Sequence, residues 1–172
     1  MLLADTDAKV ATFEQAAHLV AEARDEEHTI VLTNGVFDLL HLGHVRYLQE
    51  ARALGDLLVV GLNDDGSTQR LKGPRRPLVP LRERAVVLAA LECVDLVVPF
   101  PQDTAEGLLA ELRPHIYVKG GDYDPLAAPG QAGYLPEASV VSSYGGRVAI
   151  LPYVGGHSTS ELIKLIVERY TP

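Results

Sequence analysis

Short apolar runs alternate with helical patterns along most of the chain, and this alternation restricts the fold more than any other feature. The runs are Thr29–Leu32, Leu57–Leu62, Leu96–Pro99, Ile116–Val118 and Arg147–Leu151. Continuous apolar runs are typical of strands buried on both faces, and helices between such strands favour a parallel sheet. The pattern predicts an α/β fold with a doubly wound parallel sheet of about five strands and helices on both faces.

Helix signals fill the intervals between these runs. Capping-box spacing is present at Thr12/Gln15, Asp103/Glu106 and Ser158/Glu161. The predicted helices are Phe13–Arg24, Gly43–Leu54, Leu81–Glu92, one reaching Leu112, a short one near 137–144, and a final one with Leu162, Leu165, Ile166 and Tyr170 facing inward. The segment from Asn63 to Pro80 is predicted to be a polar loop, and 120–146 to be mostly loop.

The whole chain is predicted to form one Rossmann-like domain, residues 1–172, with a helical arm over 1–28 ahead of a core over 29–172. A length of 172 residues with 47% hydrophobic content suits one domain and argues against disorder. Neither a membrane-length apolar run nor a signal-peptide pattern is present in the sequence, and Cys93 is the single cysteine. A cytoplasmic protein without membrane attachment is therefore expected.

The charge of the chain is unevenly distributed. The formal net charge is −8, which disfavours binding to nucleic-acid backbones. Between Arg70 and Arg84, however, six basic residues stand against the single acid Glu83. A local basic cluster in an acidic protein suggests a site for a small polyanion, although a solvated basic loop is the alternative interpretation.

The segment Thr33–His44, which follows the first predicted strand, has three features of a phosphate site. Gly35 allows the backbone to approach a ligand closely. His41 and His44 lie three positions apart at a helix start, so their rings are expected to face the same way. The helix N-terminus offers free N–H groups and a positive dipole end to an anion. Gly43, between the histidines, suggests that a base or ribose packs tightly against that turn.

His41-Leu42-Gly43-His44 resembles the HxGH signature of the nucleotidyltransferase superfamily. Further segments are similar, in order and spacing, to the D-glycero-β-D-manno-heptose 1-phosphate adenylyltransferase family. They are GVFDLLHLGHVRYLQEARALGD, LNDDGSTQRLKG, LRERAVVLAALECVDLVV, VKGGDY and HSTSELI. The resemblance runs from about Thr33 to Ile166, which is most of the chain.

The resemblance implies a reaction that needs no protein nucleophile. A sugar 1-phosphate oxygen attacks the α-phosphorus of ATP, giving an ADP-sugar and pyrophosphate, so the protein has to position phosphates and stabilise their charge. His41, His44 and Lys72 are the implied catalytic residues, with His44 at the α-phosphate. Mg²⁺ is expected to arrive with ATP, and no dedicated protein cage for it is visible in the sequence.

The resemblance also implies the binding residues. The nucleotide side takes Thr33, Asn34, Gly35, Phe37, Asp38, Gly43, Arg82, Lys119, Gly120, Ser158, Thr159 and Ser160, with Phe37 expected to pack mainly in the core. The acceptor side takes Lys119, Gly121 and Asp122. A homodimer is a further implication.

The sequence departs from the family pattern in two places and leaves alternatives open. Related bacterial proteins often carry a sugar-kinase domain before the transferase; this sequence shows none, so the phosphorylated sugar is expected from another protein. The Pro129–Pro136 loop is longer than usual, near the acceptor side. The alternatives are a glycerol-3-phosphate cytidylyltransferase, an archaeal-type FAD synthetase, and a nucleotide-binding protein without turnover. A dehydrogenase is excluded because no G-x-G-x-x-G follows the first strand.

Overall fold

A single parallel sheet forms the centre of the protein. The computed structural model describes residues 6–121, 123–152 and 158–171. The strands are β1 Ile30–Gly35, β2 Leu57–Asn63, β3 Leu96–Phe100, β4 Ile116–Gly120 and β5 Arg147–Leu151. They pair in parallel in the spatial order β3-β2-β1-β4-β5. The direction of winding changes between β1 and β4, and ligands bind such sheets in the crevice beyond that point.

Helices connect the strands. In the described residues they are α1 Phe13–Asp25, α2 Leu42–Arg52, α3 Asp65–Lys72, α4 Leu81–Ala89, α5 Glu106–Leu112, α6 Glu137–Ser143 and α7 Thr159–Tyr170, preceded by a 3₁₀ turn at Asp7–Lys9. β1 continues to Gly35 rather than ending at Leu32 as predicted. Thr33 and Asn34 are therefore strand residues, whose side chains are held in fixed directions.

Two apolar cores lie on the two faces of the sheet, because successive strand residues point to opposite sides. Ile30 and Leu32 pack with residues of α1, α5 and α6. Val31, between them, packs with residues of α2 and α4. The predicted doubly wound α/β fold is confirmed.

Helix α1 belongs to the core rather than to an exposed arm. Its predicted capping box is confirmed, since the Thr12 side chain accepts from the Gln15 N–H and the Gln15 side chain accepts from the Thr12 N–H. Ala16, Val20 and Ala23 are buried against the sheet and α5. The described part of the segment predicted as a helical arm over 1–28 thus packs the apolar stripe of α1 against a partner within the domain.

The prediction of a continuous loop from Asn63 to Pro80 is also wrong. It contains α3, whose N-terminus is capped by Asp64 accepting from the Ser67 N–H at 2.7 Å. Only Ser67 and Thr68 of this helix are buried. A helix held by its cap and by small polar residues has no apolar stripe, which is the signal that the prediction relied on.

Two helix-terminal predictions near the cleft are wrong in detail. Asp103 does not cap α5: the N-cap is Ala105, and the Asp103 carboxylate accepts instead from Arg70 Nε. The apolar face of α7 is not buried, since Leu165 is 40% exposed, Ile166 51% and Tyr170 82%. Its predicted capping residue is right, because Ser158 Oγ accepts from the Glu161 N–H.

A buried arginine joins the segments that surround the carboxyl end of the sheet. The Arg84 side chain is fully buried and donates to the carbonyl oxygens of Val79, Val36 and Asn63. It also pairs with Asp65 at the start of α3, at 2.6 Å. One guanidinium thus ties together the ends of β1 and β2, helix α3 and the loop before α4, which its planar fork of donors suits well.

Replacing Arg84 by Met should lower the free energy of unfolding by about 2 to 4 kcal/mol, because the buried carbonyl groups lose their donors. Arg82→Met is the matched control on the same helix, and since Arg82 is exposed it should change this free energy by less than about 0.5 kcal/mol. Urea unfolding of both variants measures the difference. Equal stability of the two variants would contradict the role given to Arg84.

Candidate active site

A cleft of about 910 Å³ opens beyond the carboxyl ends of the strands. Its walls come from the segment after β1, the start of α2, the end of α3, the segments after β3 and β4, and the starts of α6 and α7. The predicted site residues that line it are Asn34, Gly35, Phe37, Asp38, His41, Gly43, His44, Lys72, Lys119, Gly120, Ser158, Thr159 and Ser160. The fold therefore brings most of the predicted site into one cleft at the switch point of the sheet.

The two histidines form a stacked pair at the start of α2. Their ring centroids lie 3.8 Å apart at an interplanar angle of 24°, which confirms that they face the same way. His41 is the N-cap, and its Nδ1 accepts from the His44 N–H. In the neutral ring the proton is therefore assigned to Nε2. Phe37 continues the stack, with its ring 5.2 Å from that of His44.

His44 is held in its neutral form in the free protein. Its pKa is lowered from 6.5 to about 4, chiefly by burial and also by the neighbouring His41, while the Leu39 carbonyl acts in the opposite direction. A polyanion beside the ring would favour the imidazolium and oppose these effects. The pair is therefore suited to hydrogen bonding and charge compensation when phosphates enter the cleft.

Lys119 lies at the bottom of the cleft in a network of polar side chains. Its Nζ donates to Asn34 Oδ1 at 3.2 Å, and the Tyr117 hydroxyl donates to the same oxygen at 2.6 Å. The ammonium also lies over the rings of Tyr117 and Tyr123. Burial lowers the pKa of Lys119; Glu137 raises it and Lys72 lowers it. Both lysines line the same cleft.

The start of α7 faces the histidine pair across the cleft. Ser158, Thr159 and Ser160 line the cleft, and the Thr159 hydroxyl donates to the Leu39 carbonyl just before His41. This bond joins the N-termini of α2 and α7, and both ends direct their first-turn N–H groups and dipoles toward the same region. Together they form a phosphate-binding surface built from backbone and hydroxyl donors.

Several predicted nucleotide ligands have structural partners instead. Thr33 is fully buried, and its hydroxyl bonds the Tyr47 hydroxyl, which donates to the Val118 carbonyl. The Asp38 carboxylate pairs with Arg76 and accepts from the N–H groups of Leu78 and Val79. Burial raises the pKa of Asp38, but these donors outweigh it and the pKa lies below its usual value. Asp38 therefore anchors the loop before α4 from its position at the wall of the cleft.

Gly35 and Phe37 constrain each other through close packing. A Cβ on Gly35 would come 2.9 Å from the Phe37 ring, closer than side-chain atoms approach. Phe37 itself is 6% exposed and adopts a positive φ of 45°. Gly35 is thus required because the Phe37 ring, which packs against His44, occupies the space of a Cβ. The sequence-based prediction explained Gly35 differently, by the close approach of a ligand. The expectation that Phe37 packs mainly in the core is confirmed.

Two predicted residues do not belong to the described lining of the cleft, and a third lies outside the described residues. Arg82 is exposed and does not belong to the described residues that line the cleft. The other arginine of α4, Arg84, is the buried one that joins several segments. The sequence pattern LRER does not show which of these two arginines is buried. Gly121 follows β4 just beyond the described lining residues. Asp122 lies outside the described residues.

The sequence analysis missed other residues of the cleft. Arg76 belongs to the basic cluster noted in the sequence, but nothing there indicated that it would pair with Asp38. Tyr123, Tyr134 and Glu137 come from the long loop after β4 and the start of α6. No motif marks them, because a loop brings together side chains that have no fixed spacing in the sequence.

The comparison with protein families agrees with this geometry. A family model described as cytidylyltransferase-like matches residues 32–134, from the first strand to the long loop. The chain belongs to the cytidylyltransferase-like family. The predicted enzyme class, a nucleotidyltransferase with the HxGH signature, is confirmed by this membership.

Curated relatives match nearly the whole chain. The bifunctional protein HldE of Trichlorobacter lovleyi is 48% identical over 167 residues, which cover 97% of this chain and 33% of that protein. The bifunctional protein HldE of Syntrophotalea carbinolica is 51% identical over 164 residues, covering 95% of this chain and 32% of that protein. The cytidylyltransferase-like chain therefore spans about a third of the length of these relatives.

Solved structures support the fold. The lipopolysaccharide core biosynthesis protein from Thermoplasma volcanium GSS1 matches with a TM-score of 0.56 and 32% identity, over 74% of this chain and 97% of that one. The pantoate-beta-alanine ligase from Francisella tularensis matches with a TM-score of 0.54 and 14% identity, over 88% of this chain and 68% of that one. At this identity, the second match concerns the fold alone.

Within residues 6–121, 123–152 and 158–171, no group of three or more His, Cys, Asp or Glu side chains is arranged to hold a metal ion. None of the helices in these ranges has the length and apolar character needed to cross a membrane.

We expect His44 to titrate near pH 4 in the nucleotide-free protein and at a higher pH with ATP bound, because the triphosphate stabilises the imidazolium. Since its folded pKa is below 6.5, His44 should also stabilise the fold above that pH, and this contribution should be lost as the pH falls toward 4. NMR titration with and without ATP measures both values, and His44→Gln identifies the signal. Titration above pH 6 in the free protein would contradict this description.

Proposed function

We propose that the chain transfers AMP from ATP to a sugar 1-phosphate, releasing pyrophosphate, with D-glycero-β-D-manno-heptose 1-phosphate as the acceptor. The observation that carries the proposal is the stacked His41–His44 pair, which faces the N-terminus of α7 across a cleft that also contains Lys72 and Lys119. Two helix N-termini, two imidazoles and two ammonium groups form a site for a polyphosphate and for a second phosphate beside it.

The reaction is a displacement at the α-phosphorus of ATP. An oxygen of the acceptor phosphate forms a bond to that phosphorus, the bond to the bridging α–β oxygen breaks, and pyrophosphate leaves. The acceptor oxygen is already ionised near neutral pH, so the site needs donors more than a general base. His44 and His41 donate to the oxygens around the α-phosphorus, where negative charge builds up in the transition state.

The other residues hold the two substrates in line. The α7 N-terminus and the hydroxyls of Ser158–Ser160 bind the β- and γ-phosphates, which become the leaving group. Lys119, fixed by Asn34, holds the acceptor phosphate, and Lys72 at the end of α3 compensates charge between the two. Most of the catalytic effect in this scheme comes from positioning, which can contribute many orders of magnitude.

The residues of the cleft suit Mg²⁺ that enters with ATP. Asp38 and Asp103 are engaged by Arg76 and Arg70, so their carboxylates are not available to form a metal cage. Mg²⁺ that enters with ATP would neutralise charge on the triphosphate and favour the departure of pyrophosphate.

The relatives support the choice of acceptor. They are named bifunctional, and this agrees with a transferase that forms one part of a longer protein whose other part supplies a phosphorylated sugar. The neighbour of known structure is titled a lipopolysaccharide core biosynthesis protein, which agrees with a sugar nucleotide as product. A second candidate reaction is the transfer of CMP from CTP to glycerol 3-phosphate. It is favoured by the description of the matching family as cytidylyltransferase-like.

Pyrophosphate release tests the proposal when ATP and CTP are each combined with heptose 1-phosphate and with glycerol 3-phosphate, in the presence of Mg²⁺. We expect release only with ATP and the heptose phosphate. Release with CTP and glycerol 3-phosphate would retain the chemistry and contradict the substrates. An absence of release with every pair would contradict the proposed activity.

His44→Ala is the control variant for this assay. Removing one transition-state donor should lower kcat by about 100- to 1000-fold. The fold should survive, because His44 stands at a helix start beside the cleft. Arg82→Met should retain wild-type turnover, since Arg82 is exposed away from the cleft.

A further inference from the structure

Glu137 lines the cleft with a buried carboxylate that has no role in the reaction described above. It begins α6, lines the cleft and is only 4% exposed. Burying a carboxylate is costly unless donors surround it, and a negative charge beside phosphate groups is a further disadvantage. Its position therefore calls for an explanation in terms of what it binds.

The protein satisfies only part of this carboxylate. Glu137 Oε1 accepts from the Ala105 N–H at 3.2 Å, which provides α5 with the cap that its own N-cap residue lacks. Lys119, the cation nearby, makes its hydrogen bond to Asn34 Oδ1 rather than to Glu137. Glu137 also forms a side-chain hydrogen bond with Tyr117, and its charge raises the pKa of Tyr117, after the larger effect of burial, and that of Lys119. A carboxylate offers about four acceptor positions, so positions beyond those taken by Ala105 and Tyr117 remain beside the acceptor-phosphate cation.

Glu137 and the Ser158–Ser160 surface contact different parts of the cleft wall. Glu137 bonds Ala105, which follows the edge strand β3, whereas Thr159 bonds Leu39, which follows the central strand β1. Lys119 stands at the end of β4 and hydrogen-bonds Asn34 of β1. A sugar phosphate with its phosphate on Lys119 would direct its ring toward Glu137, where Tyr123 and Tyr134 also line the cleft.

We infer that Glu137 is a substrate-binding residue that accepts hydrogen bonds from the hydroxyl groups of the acceptor sugar. A carboxylate oxygen accepts hydrogen bonds strongly from hydroxyl donors. It also repels any acceptor substrate that carries a second anionic group where a sugar has its ring. The inference rests on the proposed function and adds to it: the acceptor is a hydroxyl-rich ring with one phosphate. The ribose of the nucleotide also carries sugar hydroxyl groups, so it is the other ligand in the cleft with the chemistry that Glu137 would recognise.

Calorimetry with a non-hydrolysable ATP analogue bound tests this directly. Glu137→Gln should raise the Kd of the sugar 1-phosphate about ten- to a hundredfold, because hydrogen bonds to a charged acceptor are lost. The fold should persist, since the amide oxygen of Gln can still accept from Ala105, and thermal unfolding checks this. Glu111→Gln, the same change at an exposed site on α5, should leave the Kd within twofold.

A second comparison identifies the hydroxyls without depending on the variant's fold. Cyclohexyl phosphate has a ring and a phosphate but no hydroxyl groups, so the wild type should bind it more weakly than the sugar 1-phosphate. Glu137→Gln should reduce this discrimination. Unchanged discrimination in the variant, or no binding of any sugar 1-phosphate by the wild type, would overturn the inference.

The ribose is tested with ATP and 2′-deoxy-ATP. We expect Glu137→Gln to bind both as the wild type does. If instead the variant loses affinity for ATP and no longer distinguishes it from 2′-deoxy-ATP, Glu137 binds the nucleotide and the acceptor assignment is overturned. Since these readouts are binding constants, they are independent of whether pyrophosphate release succeeds.

Discussion

The meeting of β1 with the N-terminus of α2 is the constraint on which the rest of the site depends. Between them the chain turns through Phe37, which has a positive φ and whose ring leaves no room for a side chain at Gly35. The turn places His41 as the cap of α2 and stacks it on His44. Because the winding reverses between β1 and β4, this helix end lies beside an open crevice. Imidazoles, N–H groups and the helix dipole therefore act on the same small volume.

The surrounding loops are tied to the rest of the domain by charged groups that are paired. Asp38 holds the segment before α4 through Arg76 and two backbone N–H groups, and Arg84 holds four segments through carbonyls and Asp65. Such buried pairs are expensive to desolvate, so they add little net stability compared with apolar packing. Their effect is positional: they fix the loops, and leave Lys72 and Lys119 as the cations that face a ligand.

The fold was largely predictable because its signals are local. The strands are continuous apolar runs, and α1 and α7 begin at capping residues that the sequence displays. Helix α3 escaped prediction because it has no apolar stripe. The capping role assigned to Asp103 failed because Arg70, distant in sequence, binds its carboxylate. In the site, HxGH and the Ser/Thr motif were recognisable, whereas Glu137 and Arg76 depend on tertiary contacts between loops. Arg82, predicted to bind the nucleotide, is exposed and does not belong to the described lining of the cleft, whereas the nearby Arg84 is buried, and sequence alone does not show which of two neighbouring basic residues is buried.

The central claim is that the histidine pair and the α7 N-terminus hold the triphosphate while Lys119 faces the acceptor. A crystal structure with α,β-methylene-ATP and a sugar 1-phosphate tests it most directly. The account predicts the α-phosphate within hydrogen-bonding distance of His41 and His44, the γ-phosphate at Ser158–Ser160, and the acceptor phosphate on Lys119. A triphosphate bound along the exposed basic loop near Arg75, with the histidines uninvolved, would contradict the account.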